Sequence, residues 1–274
     1  MKNILNFLKP RKKLHIFYKH VHSDGGKNRP EWFTHEICFL NLLHSIGCAT
    51  QVPLDVDLTV LFDGTEESYQ KNFISKYHPA HGGSPKNDLV QFDLQIFQGG
   101  SQRLAGLYLM DFVSQKKYSD NDYIYFLEND YLHDFGWVQS LESLIRSKIP
   151  FDYVSLYDHR DKYPHEIGFH EMHKDLQSKI YIAGNRHWRT VPSTCSSYIL
   201  AVKTFSQDLG ILKAELMDHE MFDALEKKGR ILLSPIPGLA THCMINLLSP
   251  CIEWEKFLQP PVLPETKLRV NGNE

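Results

Sequence analysis

Several features that would place this chain in a narrow class are missing from it. It has no C-x-x-C pair, and its five cysteines (Cys38, Cys48, Cys195, Cys243, Cys251) are odd in number and scattered. That argues against a disulfide framework and against a thiolate zinc site. A basic excess is also missing: Lys and Arg total 30 against 33 Asp and Glu, for a net charge of -3 and a pI near 6.6. Domains that bind nucleic acid usually carry a marked positive surplus, so no nucleic-acid partner is expected. No apolar run approaches the roughly 18 residues that span a bilayer. The opening stretch, Met1 to Leu8, is too short for a secretory h-region with a small-residue cleavage site, and a cytoplasmic protein is expected. The chain has no internal repeat and no low-complexity tract. H-E-x-x-H is absent too. His165, His170 and His173 lie near Glu166 and Glu171, but His170 and His173 are only three apart, a poor match to zinc-binding spacing.

What is present is enough apolar material for a full core: 42% hydrophobic and 12% aromatic residues in 274. The expected organisation is an extension over 1–13, a single domain over 14–250 with halves at 14–135 and 136–250, and a tail over 251–274. In the extension Ile4, Leu5, Phe7 and Leu8 precede Lys9, Arg11, Lys12 and Lys13. That pattern is suited to peripheral contact with the cytoplasmic face of an anionic membrane.

Strand and helix signals alternate through the first half. Leu14 to Tyr18 reads as a strand and His20 to Pro30 as a polar loop with Gly25 and Gly26. Glu31 to Ile46 follows as a helix with Phe33, Ile37, Leu40 and Leu43 at helical spacing, stopped by Gly47. Val56 to Phe62 is a second strand, ended by Asp63-Gly64-Thr65, with a short helix from Glu66 to Tyr77 behind it. His78 to Asp88, with Pro79, Gly82, Gly83 and Pro85, is a loop. Hydrophobic patterning resumes from Leu89 to Phe97, and a helix from Ser101 to Lys116 leads into a strand over Asp122 to Leu127. Such alternation predicts an α/β protein with a parallel, doubly wound sheet. Beyond it come a helix at Val138 to Arg146, a strand at Tyr153 to Tyr157, an irregular stretch from Asp158 to His173, and a strand-like segment from Val191 to Val202. A helix from Glu215 to Lys228, closed by Gly229, and a short strand at Ile231 to Leu233 precede loops from Pro235 onward.

The chain's most informative stretch is Tyr123-Ile124-Tyr125-Phe126-Leu127, which is apolar without a break and suits a strand covered on both faces. It stops on Glu128-Asn129-Asp130, so these polar residues fall at the carboxyl edge, where open α/β sheets place ligands. Glu128 and Asp130 offer hard oxygen donors to Mg2+ or Mn2+, and such an ion implies a phosphate.

Asp63-Gly64-Thr65, Gly99-Gly100-Ser101-Gln102-Arg103 and Glu128-Asn129-Asp130, in that order, resemble the nucleotide-sugar half of GT-A glycosyltransferases, most nearly the family 2 type. Asp218-His219-Glu220-Met221-Phe222 with Lys227-Lys228-Gly229 resembles the segment that holds the catalytic acid in that fold. Gly238-Leu239-Ala240-Thr241-His242 resembles its late metal-binding histidine. The similarity covers about residues 14 to 245, and two positions depart from the pattern: Glu128 stands for the usual first Asp, and Met217 replaces an acidic residue.

The resemblance implies a GT-A-type, Rossmann-like, doubly wound mixed sheet with helices on both faces. It implies Asp130 and His242 as ligands of Mn2+ or Mg2+, with Glu128 on ribose or a metal-bound water and Asn129 beside them. Asp63 would accept hydrogen bonds from base or ribose. Gly99, Gly100 and Ser101 would let the backbone approach the nucleotide, with Arg103 as a fixed positive fork. Asp218 would be the base that deprotonates an acceptor hydroxyl, with Glu220 the second candidate. In the Tyr181 to Ser197 stretch, Trp188 offers a stacking face for a sugar and Ser193, Thr194, Ser196 and Ser197 offer hydroxyls.

The expected activity is transfer of a sugar from a UDP-, GDP- or dTDP-linked donor to a hydroxyl of a glycan or glycolipid, with inversion. Two other readings stand beside it. One is a sugar-phosphate nucleotidyltransferase, since Gly25-Gly26 with Arg29-Pro30 partly matches the glycine loop of that class but lacks its third glycine and following lysine. The other is an inactive sugar- or nucleotide-binding domain.

Overall fold

A computed structural model describes residues 11–21, 26–49, 52–78, 90–214 and 217–259. The apolar start of the extension, most of the expected loop after Pro79, and residues 260–274 of the tail lie outside them.

The sheet begins with β1 (Lys12–His20), β2 (Leu54–Asp63), β3 (Asp93–Phe97) and β4 (Tyr123–Glu128). These four are parallel and lie in the order β3-β2-β1-β4. That is the arrangement of a mononucleotide-binding half, and the crevice at its switch point opens beyond the carboxyl ends of β1 and β4. The sheet then continues through β9 (Tyr198–Ala201), β6 (Tyr153–Val154), β10 (Leu232–Ile236), β8 (Arg186–Thr190) and β7 (Ile180–Ala183), nine strands in all. β9 runs antiparallel to β4 and to β6, so the sheet is mixed. Both halves of the chain therefore contribute to one sheet.

The unbroken apolar run of β4 fills two cores at once. Tyr123, Tyr125 and Leu127 point into one, packed with α1 (His35–Gly47) and α4 (Trp137–Arg146). Ile124 and Phe126 point into the other, packed with α3 (Gln102–Ser114), α5 (Val202–Leu212) and α6 (Asp218–Lys227). Period-two alternation under helices on both faces is what a continuous hydrophobic strand requires. A short α2 (Glu66–Gln70) follows β2, capped by Thr65, whose hydroxyl accepts from the Ser68 N–H at 3.1 Å.

Several expected boundaries move. β1 extends past Tyr18 because Lys19 and His20 are buried at the sheet's edge, His20 stacked on Phe62 with ring centroids 5.4 Å apart. α1 begins only at His35 rather than at Glu31, since Thr34 caps it, accepting the Ile37 N–H at 3.0 Å. The strand-like stretch from Val191 reduces to β9. The first part of the Tyr181 to Ser197 stretch lies in a hairpin, β7 and β8, joined to the sheet by antiparallel pairing of β8 with β10. β10 runs on through Pro235, and the expected loops beyond it contain β11 (Ala240–His242), which pairs antiparallel with β5 (Tyr131–His133). Among the described residues no helix is long and apolar enough to cross a membrane.

Candidate active site

The site is built where the strands end. The parallel register of β1 and β4 sets Lys19 beside Glu128, with the ammonium 3.3 Å from the carboxylate. The Glu128 N–H donates to Ser197 Oγ at 3.1 Å, which ties the end of β4 to the segment before β9. Lys19 and Glu128 open onto a cleft of about 410 Å³ that is also lined by Arg103, Ser196, Asp218 and Met221.

Asp218 is the first residue of α6, one place after the capping position. Its Oδ1 accepts the Ser196 hydroxyl at 3.0 Å. Burial pushes its pKa above the usual carboxylate range; the Ser196 hydrogen bond pulls the other way, and the negative charge of Glu128 adds to the rise. The sequence left Asp218 and Glu220 as two candidates, and the structure separates them. Glu220 Oε2 accepts the Met217 N–H at 2.9 Å on an exposed turn, so it closes the start of its own helix and is not among the residues lining the cleft.

Two residues beyond Glu128 the surroundings change. The β5–β11 register pairs His242 with Tyr131, which brings a histidine 112 positions away in sequence to Asp130: Nε2 lies 2.9 Å from Oδ2. Lys27 and Arg29, in the loop between β1 and α1, reach the same oxygen, each at 2.8 Å. Burial alone would raise the Asp130 pKa, but the hydrogen bonds and charges of His242 and Lys27 outweigh it and hold the carboxyl well below its usual range. Asn129 points away from solvent: it is buried, donates to the Val21 carbonyl at 2.8 Å and meets His20 at 3.3 Å. Its amide fastens the loop after β1 and is not presented to a nucleotide, which corrects the expectation for that residue.

Asp130 and His242 are thus together, as expected of metal ligands, but the place between them is taken. Lys27 Nζ touches both, at 2.8 Å from Asp130 Oδ2 and 3.4 Å from His242 Nε2. Glu128 faces the cleft and pairs with Lys19 instead of joining them. Among the described residues no three His, Cys, Asp or Glu side chains gather in a way that would hold an ion. Lys27 and Arg29 already neutralise the Asp130 carboxylate, and their positive charges oppose a divalent ion beside it. The donor set does not fit Mn2+ or Mg2+.

At the other edge of the crevice, Asp63 ends β2 and its Oδ1 accepts the Gly99 N–H at 2.7 Å. Gly100 has φ +73°, and Ser101 caps α3 by accepting the Leu104 N–H at 3.2 Å. Gly99 and Ser101 therefore have structural work as well as any toward a ligand, while Arg103 reaches the cleft.

Trp188 is a correction: it is 0% exposed and packed in the core beneath β8, so it presents no face to a sugar. Ser193 is half-buried in the loop before β9; Ser196 lines the cleft from that loop, while Ser197 is buried and accepts the Glu128 N–H. The histidine-rich stretch does not assemble a zinc site. His173 lies 3.4 Å from Asp161, Glu166 pairs with Arg160 at 2.5 Å, and His170 Nδ1 accepts the Met172 N–H at 3.3 Å.

Sequence reasoning missed Lys19 and Lys27. The first was hidden by ending β1 at Tyr18. The second had only its position two residues before Arg29 as a signal.

No family model matches the chain, and no curated protein is similar to it in sequence. Solved structures do resemble it. One is a CMP:2-keto-3-deoxy-manno-octonic acid synthetase complexed with CTP, 12% identical, covering 83% of this chain and 92% of that one, with a TM-score of 0.45. Another is an inositol-1-phosphate CTP transferase from T. maritima, 9% identical, covering 91% and 94%, TM-score 0.40. A third is the galactosyltransferase LgtC in complex with donor and acceptor sugar analogs, 8% identical, covering 77% and 70%, TM-score 0.39. Likeness at this level is loose, and the reading of the site rests on its own geometry.

Proposed function

We propose that this chain is a glycosyltransferase that moves a sugar from a nucleoside-diphosphate donor, linked to UDP, GDP or dTDP, to a hydroxyl of a glycan or glycolipid. The observation that supports it is Asp218, a carboxylate of raised pKa fixed by Ser196 in a cleft at the switch point of the sheet. A base so placed takes the proton of an acceptor hydroxyl while that oxygen attacks the anomeric carbon. The bond from that carbon to the diphosphate oxygen breaks, and its electron pair leaves with the diphosphate. One in-line displacement of this kind inverts the sugar. Lys19, Lys27 and Arg29 are the positive groups available to the departing charge.

Incubation with UDP-, GDP- or dTDP-hexose and a mixed glycan acceptor tests the reading. Release of nucleoside diphosphate that depends on acceptor is the expected result.

A second reading draws on the pair Lys27 and Arg29, two cations in one loop after β1, which would equally suit a triphosphate. In a nucleotidyltransferase the oxygen of a sugar phosphate attacks the α-phosphorus of a nucleoside triphosphate and pyrophosphate leaves. UTP, CTP or dTTP with hexose 1-phosphate, assayed for pyrophosphate, separates that reaction from glycosyl transfer.

A further inference from the structure

We infer that Lys27, held in place by Asp130 beside Arg29, takes the position of a divalent cation, so that the chain grips the phosphates of its nucleotide without a metal. The inference rests on the proposal that this crevice binds a nucleoside diphosphate.

The geometry carries it. Lys27 Nζ contacts both atoms that would otherwise ligate an ion, Asp130 Oδ2 and His242 Nε2, at 2.8 and 3.4 Å. An ammonium has three N–H bonds, so with one directed at Asp130 the others remain for phosphate oxygens. The Lys27 side chain is 38% exposed whereas that of Asp130 is 3% exposed, so the cationic side chain meets solvent while its counter-ion lies buried behind it.

Arg29 is built in more firmly. Its Nη1 donates to the Cys243 carbonyl at 2.8 Å, its Nη2 to Asp130 at 2.8 Å, and its guanidinium lies 4.4 Å over the Phe33 ring. With one carboxylate between two fixed cations, the centre keeps an unbalanced positive charge. That charge suits a polyanion and opposes a metal ion.

The experiment has two arms. In the first, UDP, GDP and dTDP are titrated calorimetrically into the protein in EDTA and again in excess Mn2+. In the second, Mn2+ alone is titrated and followed by its electron paramagnetic resonance signal. One of the nucleotides should bind in EDTA within about threefold of its affinity in Mn2+, and the free Mn2+ signal should persist at stoichiometric protein. Lys27→Ala should weaken that nucleotide tenfold or more, with Lys27→Arg restoring most of the loss. Circular dichroism of both variants confirms the fold, and the Mn2+ arm needs no variant.

Binding seen only with Mn2+, or a Mn2+ signal quenched by the protein and recovered in Asp130→Asn, would overturn the inference while leaving the nucleotide-sugar reading in place. Failure of all three nucleotides in both conditions would overturn that reading, and this inference with it.

Discussion

Ser196 and Asp218 lie on different elements, 22 residues apart in sequence, yet the serine hydroxyl reaches Asp218 Oδ1 at 3.0 Å. The contact fixes the carboxylate against the cleft wall and leaves Oδ2 for an acceptor proton. It follows that Asp218→Asn should lower kcat by about 10²–10⁴-fold, the range that positioned proton transfer contributes, with donor affinity unchanged by calorimetry. Glu220→Gln should keep kcat within about twofold. The cost of losing that cap should appear in urea unfolding of Glu220→Ala instead, at about 0.5–1 kcal/mol, because Glu220 closes the start of α6 through the Met217 N–H.

The raised pKa of Asp218 has consequences for pH that differ between activity and stability. A base must be ionised, so kcat/KM should fall on the acid side through a pKa above the usual carboxylate range. Ser196→Ala removes the hydrogen bond that favours the ionised form, and should move that limb to still higher pH. For stability, a carboxyl whose folded pKa exceeds its unfolded value binds its proton more tightly when folded. Its contribution therefore declines as pH rises through the window between the two values. Asp218→Asn removes that decline, so the variant should melt about 1–3 °C above the parent at pH 7 and about level with it below both values, by calorimetric scanning.

The parts of this molecule that were legible in the sequence are those where one physical signal dominates. The run from Tyr123 to Leu127 had to be a strand covered on both faces, and Asp63, Glu128 and Asp130 had to sit at strand ends. The β7–β8 hairpin was not legible, because Arg186-His187-Trp188-Arg189-Thr190 carries charges that read as surface. Arg189 is nonetheless buried, its charge met by Asp158 at 2.7 Å, and Trp188 is core. The role of Lys27 was hidden for a different reason. It depends on a loop after β1 meeting β11, a strand of three residues, which no local periodicity announces.

The turn that presents Asp63 can be probed through its two glycines. A Cβ on Gly99 would lie 2.8 Å from Asp63 Oδ2 and 2.9–3.0 Å from Ala105, so backbone or helix must shift. A Cβ on Gly100 would meet open space, and the obstacle there is φ +73°, a conformation that costs an L-residue roughly 1–2 kcal/mol. Gly99→Ala should be the more damaging, at about 1–3 kcal/mol plus a raised donor KM if Asp63 contacts the nucleotide. Gly100→Ala should lose about 1 kcal/mol with KM unchanged. Equal KM effects from both would remove Asp63 from the nucleotide site.

His133 gives the structure an acid sensitivity unrelated to catalysis. It is fully buried, with Nε2 3.0 Å from the Tyr125 hydroxyl, and Nδ1 has no hydrogen-bond partner. Burial lowers its pKa from 6.5 to about 3. When the folded pKa of a base is depressed, the unfolded chain takes up the proton first. The stability His133 contributes is therefore fully present above pH 6.5 and is lost as pH falls from there toward 3, at up to about 1.4 kcal/mol per pH unit. The urea midpoint should fall across that window, and His133→Gln should flatten the slope by keeping an acceptor for Tyr125 without a group that titrates. Asn41 holds the backbone of residue 133 through its N–H at 2.7 Å, so the substitution changes the ring and leaves the strand anchored. If the slope between pH 6.5 and 4 were the same in parent and variant, the acid sensitivity would belong to the other buried or part-buried histidines, such as His15, whose pKa burial also lowers.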